Sequence, residues 1–388
     1  MNWIESKKSV LTNLLCTHSQ PHATNDWRYE NMKKNLLARS ITAIAATLAV
    51  TSYAQAGSVT SDGPDLVVQT KGGLKVATSD KQYSIQLGGR IQYDYNDAVS
   101  NDPAASKEDQ FDVRRARLFV KGNIQDWSYK SQFNVNKGTA EDVYIRYNGW
   151  GKQAKVTLGR QKMPFGLEDL TSSKDISMLE RTALTEAYNI GRASGVQLAG
   201  ANGALTYAIA AFDAGSSNNG ADDFGFSARA TFAPLQTDEA LVHVGASYKD
   251  VADGVSAYAL ELAGVLGALH GQLEFFDADN GASGDADGYY AQLGFVITGE
   301  QRPYKGGVFK RIKPTGANGA LEVVARYEDG QGDFGDIELG NAEATSWGVG
   351  VNWYVNNAVR LGMNYTDGEE EGTDLAGNEF RARFQLVF

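Results

Sequence analysis

The chain of 388 residues carries 36 Lys and Arg against 47 Asp and Glu, a formal net charge of −11, with 42% hydrophobic residues, 43 glycines and 7 prolines. After the first 56 residues no run approaches the roughly 18 apolar residues that a membrane-crossing helix needs. One cysteine cannot make a disulfide framework, and an acidic balance without a basic domain gives no footprint for nucleic acid.

In chain order, the first recognisable segment is "MKKNLLARSITAIAATLAVTSYAQA", residues 32–56. Lys33 and Lys34, an apolar stretch and Ala54-Gln55-Ala56 make a secretory signal peptide cleaved after Ala56, with Met32 as the true start and 1–31 a non-native extension. Removing 1–56 leaves 57–388, with 30 basic and 44 acidic residues, and takes away Cys16, His18 and His22. His243 and His270 remain, on separate predicted strands. No nucleophile–base set can be argued from such spacing, so neither an enzyme nor a cofactor is expected.

From Lys81 onward the chain alternates. In "KQYSIQLGGRIQYDY", Tyr83, Ile85, Leu87, Ile91, Tyr93 and Tyr95 share one parity, while Gln82, Ser84, Gln86, Arg90, Gln92 and Asp94 share the other. The pattern predicts sixteen strands, near 81–95, 111–121, 127–137, 140–149, 153–161, 189–200, 204–213, 224–233, 240–250, 256–265, 267–277, 288–299, 319–328, 344–354, 357–366 and 378–388. A soluble sandwich would turn the apolar face into a core, whereas a transmembrane barrel turns it toward lipid. Strands near ten residues, aromatic residues at their ends and a polar or glycine-rich opposite parity favour an all-β, sixteen-stranded antiparallel barrel. Its partners are then outer-membrane lipid and lipopolysaccharide.

The connections alternate in length. The long set is 96–110, 162–188, 214–223, 278–287, 329–343 and 367–377, and an even strand number places it outside, with both termini and the short turns in the periplasm. The exception, 299–318, is long, falls on the periplasmic side, and carries Arg302, Lys305, Lys310, Arg311 and Lys313 against Glu300. "DADNGASGDADG" misses the EF-hand ligand spacing and reads as a solvated acidic outer loop. Loop 162–188 lacks alternation but is rich in Met, Leu, Ile and Phe, so it is expected to fold inward and narrow the pore. Phe388 ends an amphipathic last strand.

"FDVRRARLFVKG", 111–122, fixes the lumen side. With Leu118 and Val120 toward lipid, Arg115 and Arg117 face the lumen; the opposite choice would cost about 2–4 kcal/mol per midplane arginine. Arg114 has the wrong parity, which leaves an interface, a subunit contact or a β-bulge. Arg90, Lys130, Arg229, Arg326, Arg360, Arg381 and Arg383 also have lumen parity. Singly each is a solvated wall residue; together, in a low-dielectric wall, their fields add.

The stretches "GGRIQ", "RRARL", "FGLEDLTSSK", "LER", "YYAQLGFVITGE" and "GVNWYVNNAV" resemble the phosphate-selective porins O and P. That resemblance implies a homotrimer of sixteen-stranded barrels, each with an arginine-lined constriction and a lysine-rich periplasmic vestibule, passing inorganic phosphate, pyrophosphate or similar anions. It assigns the constriction to Arg90, Arg114, Arg115, Ser172, Ser173 and Arg181, and the vestibule to Lys71, Lys81, Lys305 and Lys313. Departures from the family pattern are Asp169 and Ser128 where lysines stand, and Arg117, added here to the constriction set, where a tyrosine stands. A family acidic position is matched by Glu141. The alternative is a general diffusion porin of the same fold with weak selectivity.

Overall fold

The computed structural model describes residues 63–388 apart from 71, 102–109, 217–221, 252–254, 282–283, 335–336 and 372–374. The extension 1–31, the signal peptide 32–56 and Lys71 therefore lie outside the described residues. A short hairpin comes first, β1 (Leu66–Gln69) and β2 (Leu74–Thr78). Sixteen strands follow. They are β3 (Tyr83–Ser100), β4 (Gln110–Ile124), β5 (Trp127–Asn134), β6 (Thr139–Tyr147), β7 (Lys155–Lys162), β8 (Arg192–Asn202), β9 (Leu205–Ser216) and β10 (Asp222–Gln236). The set ends with β11 (Ala240–Val251), β12 (Val255–Leu266), β13 (Leu269–Asn280), β14 (Asp285–Val296), β15 (Ala320–Phe334), β16 (Ile337–Tyr354), β17 (Val359–Glu370) and β18 (Ala376–Val387).

Each of these strands pairs antiparallel with its sequence neighbour, and β18 closes onto β3 from Gly377↔Ser100 to Val387↔Arg90. Closure removes both sheet edges, which an open sheet could not leave unpaired in lipid. Where β18 runs out, Phe388 continues the ladder: its N–H donates to the Gly89 carbonyl (3.1 Å) and its carbonyl accepts from the Gly89 N–H (2.7 Å). A Cβ on neighbouring Gly88 would sit 2.7 Å from the Phe388 carbonyl oxygen, so this seam needs glycine. Below it, β2 takes over the same edge of β3, from Leu74↔Leu87 to Ala77↔Ser84.

The burial pattern is inverted relative to a soluble protein. Leu262 on the outer surface is 52% exposed, while Glu274 inside is 0% exposed. That decides against the sandwich. Aromatic rings gather at both ends of the outer wall: Trp127, Tyr147 and Trp150 at the end with the termini (centroids 4.9 and 5.3 Å), Tyr289–Tyr327 and Trp347–Tyr365 at the other (6.2 and 5.7 Å).

All sixteen expected strands are present. Several expected outer loops are instead hairpin extensions: β15 runs to Phe334 and β16 starts at Ile337, so most of 329–343 is paired strand. Above the membrane both faces are wet, so the two parities carry polar residues and the alternation fades. The β1–β2 hairpin was not anticipated, since four- and five-residue strands give too few alternations.

Segment 163–191 leaves β7 and enters the barrel, carrying two short helices, α1 (Leu167–Leu170) and α2 (Ala183–Tyr188). Met163, Phe165, Leu167, Met178 and Leu179 are fully buried, packed against the interior wall. From the other end, connection 297–319 also folds in, burying Val308, Phe309 and Ile312; Phe309 and Leu167 share a cluster with Leu241 and Val265. Arg302 within it is no solvated vestibule residue as its loop context implied. It is 2% exposed, stacks over Phe309 at 4.1 Å, and donates to Gln272 Oε1 (3.2 Å).

Candidate functional site

A segment with little helix and no strand must still satisfy its backbone when buried. Here the barrel wall supplies the partners. Glu274 accepts from the N–H groups of Leu167 (2.6 Å) and Glu168 (2.9 Å), and Glu328 from Ala183 (2.8 Å). Arg360 donates to the carbonyls of Ile176 (2.7 Å) and Ser177 (2.6 Å), Arg326 to Glu180 (3.0 Å), and Gln92 to Ser173 (3.1 Å). Arg326 and Arg360 thus have the expected lumen parity but act as struts. Arg229 likewise forks onto Glu261 (2.7 and 2.6 Å) and reaches the Gly307 carbonyl.

Because the inward segments rest on β10–β17, the open space is pushed against the β3–β8 wall. It is a cavity of about 2030 Å³ lined by sixteen Lys and Arg and five Asp and Glu among the described residues. The lining is therefore strongly positive in a chain that is negative as a whole. The cavity runs from Lys305, Lys310, Arg311 and Lys313 at the end with the termini, past Arg90, Arg115, Arg117, Ser172, Ser173 and Arg181, to Lys137 and Asn189.

The local strand geometry explains why the arginines converge. Register between β3 and β4 jumps from Gln92↔Arg115 to Asp94↔Asp112, so Val113 and Arg114 together face Tyr93. This β-bulge turns Arg114 inward, the resolution that strict parity left open. A second bulge, between Ser131↔Val143 and Phe133↔Ala140, brings the consecutive acids Glu141 and Asp142 to the same lumen.

Arg90 and Arg117 sit directly across from each other on β3 and β4. Arg117 pairs with Glu141 (2.5 Å), which also takes Arg192 (2.9 Å); Asp142 takes Arg192 (2.6 Å) and Lys130. Arg90 has no ion-pair partner among the described residues and donates to Ser172 Oγ (3.1 Å). Among the described residues, three enclosed donors on these side chains lack a partner: Arg90 Nε, Arg117 Nε and the Ser173 hydroxyl.

Arg114 and Arg115 converge on Glu180, an inward-loop carboxylate that sequence reading passed over inside "LER". Arg114 NH2 lies 3.0 Å and Arg115 NH2 2.9 Å from Glu180 Oε2, and Arg383 bonds it too. Burial alone would raise the Glu180 pKa, but the charges of Arg114, Arg115 and Arg383 hold it well below the usual carboxylate range. Arg181 donates to the carbonyls of Glu168 (3.2 Å), Asp169 (3.2 Å) and Thr171 (3.0 Å), so it braces the loop while lining the cavity. Asp169 is bonded by Lys162 (2.6 Å); burial pushes its pKa up, and Lys162 and Arg181 more than reverse this.

Lys305 and Lys313 line the exit, as the vestibule assignment implied; Lys81 is exposed in a turn at φ 62° and is not among the lining residues. Arg192, Lys310 and Arg311 also line the cavity. Arg192 could have been found from its lumen parity had the end of the inward loop been placed.

A family model described as "Phosphate-selective porin O and P" matches residues 85–251 and 249–388. Porin O of Pseudomonas aeruginosa is 32% identical over 431 aligned positions, which cover 89% of this chain and 98% of that protein. Among solved structures, an anion-selective porin from Comamonas acidovorans superposes with a TM-score of 0.54 at 13% identity, covering 79% of this chain and 100% of that one. OmpT of Vibrio cholerae superposes at 0.57 with 12% identity, covering 79% and 98%. At such identities these two structures speak to the barrel fold alone.

Proposed function

The chain belongs to the phosphate-selective porin O and P family and is an integral outer-membrane channel, and from that premise we propose that it conducts inorganic phosphate and related anions through the basic cavity as a homotrimer. The observation that carries this reading is the excess of basic side chains on the cavity wall, with Arg90 beside the Ser172 hydroxyl and without an ion-pair partner among the described residues. A guanidinium with no carboxylate to neutralise it leaves its charge available to an oxyanion. Guanidinium groups suit the task, because they stay charged and are weakly hydrated, so stripping water from an entering anion is offset by charge-assisted bonds.

A path follows from the lining. Arg114 and Arg115 supply positive potential near the outer side of the constriction, Arg90, Arg117, Ser172 and Ser173 the closest contacts, and Arg181 positions the loop that carries both serines. Lys305 and Lys313 keep the field positive toward the exit, where screening by salt lets the anion leave. The experiment is phosphate block of chloride current in single channels. Arg90→Ala should weaken block about tenfold or more while chloride conductance changes little; equal loss of both would leave a general diffusion porin.

A further inference from the structure

Arg114 and Arg115 line the cavity, yet each already has one of its two oxyanion-chelating edges taken. Glu180 receives Nε (3.2 Å) and NH2 (3.0 Å) of Arg114, and NH1 and NH2 of Arg115 (2.9 Å each). Arg383 bonds the same carboxylate, and Arg381 lies 3.4 Å away. Around it Asp94 takes Arg383 (2.5 Å) and Glu379 takes Arg381 (2.7 Å). Four guanidinium charges therefore face three carboxylates.

The carboxylate does not owe its position to Arg114 and Arg115 alone. The Glu180 carbonyl is held by Arg326 (3.0 Å) from β15, and the preceding Leu179 carbonyl by Arg383 (2.5 Å) from β18. The main chain is thus pinned from two other strands, and the side chain is delivered to the arginines.

We infer that Glu180 is a resident counter-anion that sets the affinity of the pore: by occupying one chelating edge of each of Arg114 and Arg115 and offsetting their charge, it keeps them as a source of field and weakens them as a second trap for the passing phosphate. This rests on the anion-channel reading above. Its consequence is specific to charge. Removing one carboxylate from this cluster raises the local potential, and a dianion gains twice what chloride gains.

The test compares wild type, Glu180→Gln and the double variant Glu180→Gln/Arg114→Gln for inorganic phosphate block of chloride current. Glu180→Gln should block at roughly tenfold lower phosphate, with chloride conductance within about twofold of wild type, because the main-chain bonds of 179–180 remain. The double variant, whose cluster charge equals that of wild type, should return toward wild-type block, a rescue that a mere structural latch would not give. Block unchanged or weakened in Glu180→Gln overturns the inference, and so does a severalfold rise in conductance with block lost. Should Glu180→Gln fail to insert, the charge-balanced double decides: block near wild type supports the inference, and loss of block overturns it. Absence of block in wild type would instead sink the underlying channel reading.

Discussion

Arg90 and Arg302 are both buried arginines inside the barrel, and they do opposite things. Among the described residues Arg90 bonds only the Ser172 hydroxyl and has no ion-pair partner, and it lines the cavity. Arg302 is stacked on Phe309 and bonded to Gln272 under the 297–319 connection. Arg302→Ala should therefore lower thermal stability, on the order of 3 kcal/mol for lost packing and stranded partners, while channels that do insert keep wild-type phosphate block. Heat-modifiability on gels and block in bilayers would read the two effects separately. A loss of block without a loss of stability would contradict the assignment. Glu180 adds a pH signature. Its pKa is depressed in the folded protein, so its stabilising contribution is complete above the unfolded value near 4.3 and lost only as pH falls through the lower folded one. The stability gap between wild type and Glu180→Gln should stay constant from pH 7 to about 5 and close only in stronger acid. A gap already closing near pH 6 would mean the carboxylate is not held by the arginines.

At the scale of elements, the strands were legible because a lipid-facing wall enforces period two, and a one-residue error would have put arginine into lipid. The inward course of the 163–191 segment was legible from its apolar content without alternation. The bulges were not. Whether Arg114 turns inward depends on which residues of β3 and β4 face each other, and register is a property of two strands that neither sequence carries alone. Glu180 escaped for a similar reason: it becomes significant only when the loop sets it among residues of β4 and β18. The same elements predict where the fold is fragile. Gly88→Val should clash with the Phe388 carbonyl and leave the β3–β18 seam unclosed; the expected result is loss of heat-resistant folded barrel, measured by the gel shift on boiling. Arg360→Ala removes donors from the Ile176 and Ser177 carbonyls, so the loop should loosen, with noisier and larger single-channel currents. Unchanged current noise would show that the remaining struts suffice.

For the whole molecule, the informative quantity is where charge lies. Residues 57–388 carry 44 acidic and 30 basic side chains, yet the cavity wall collects sixteen basic and five acidic ones. Acids such as Asp285, Asp287, Asp367 and Glu369 lie instead on the outward face of the long hairpins. A net charge thus says little about a channel whose selectivity is decided by a low-dielectric, basic passage. The homotrimer proposed above would put three such passages in one particle. The measurement that bears most directly on this charge separation is the zero-current potential of the reconstituted wild-type channel under a KCl gradient. Anion selectivity requires a potential whose sign marks chloride as the more permeant ion, with a magnitude that shrinks when Arg90 is replaced by Ala. A potential of the cation-selective sign, or one at zero that Arg90→Ala leaves unmoved, would contradict it.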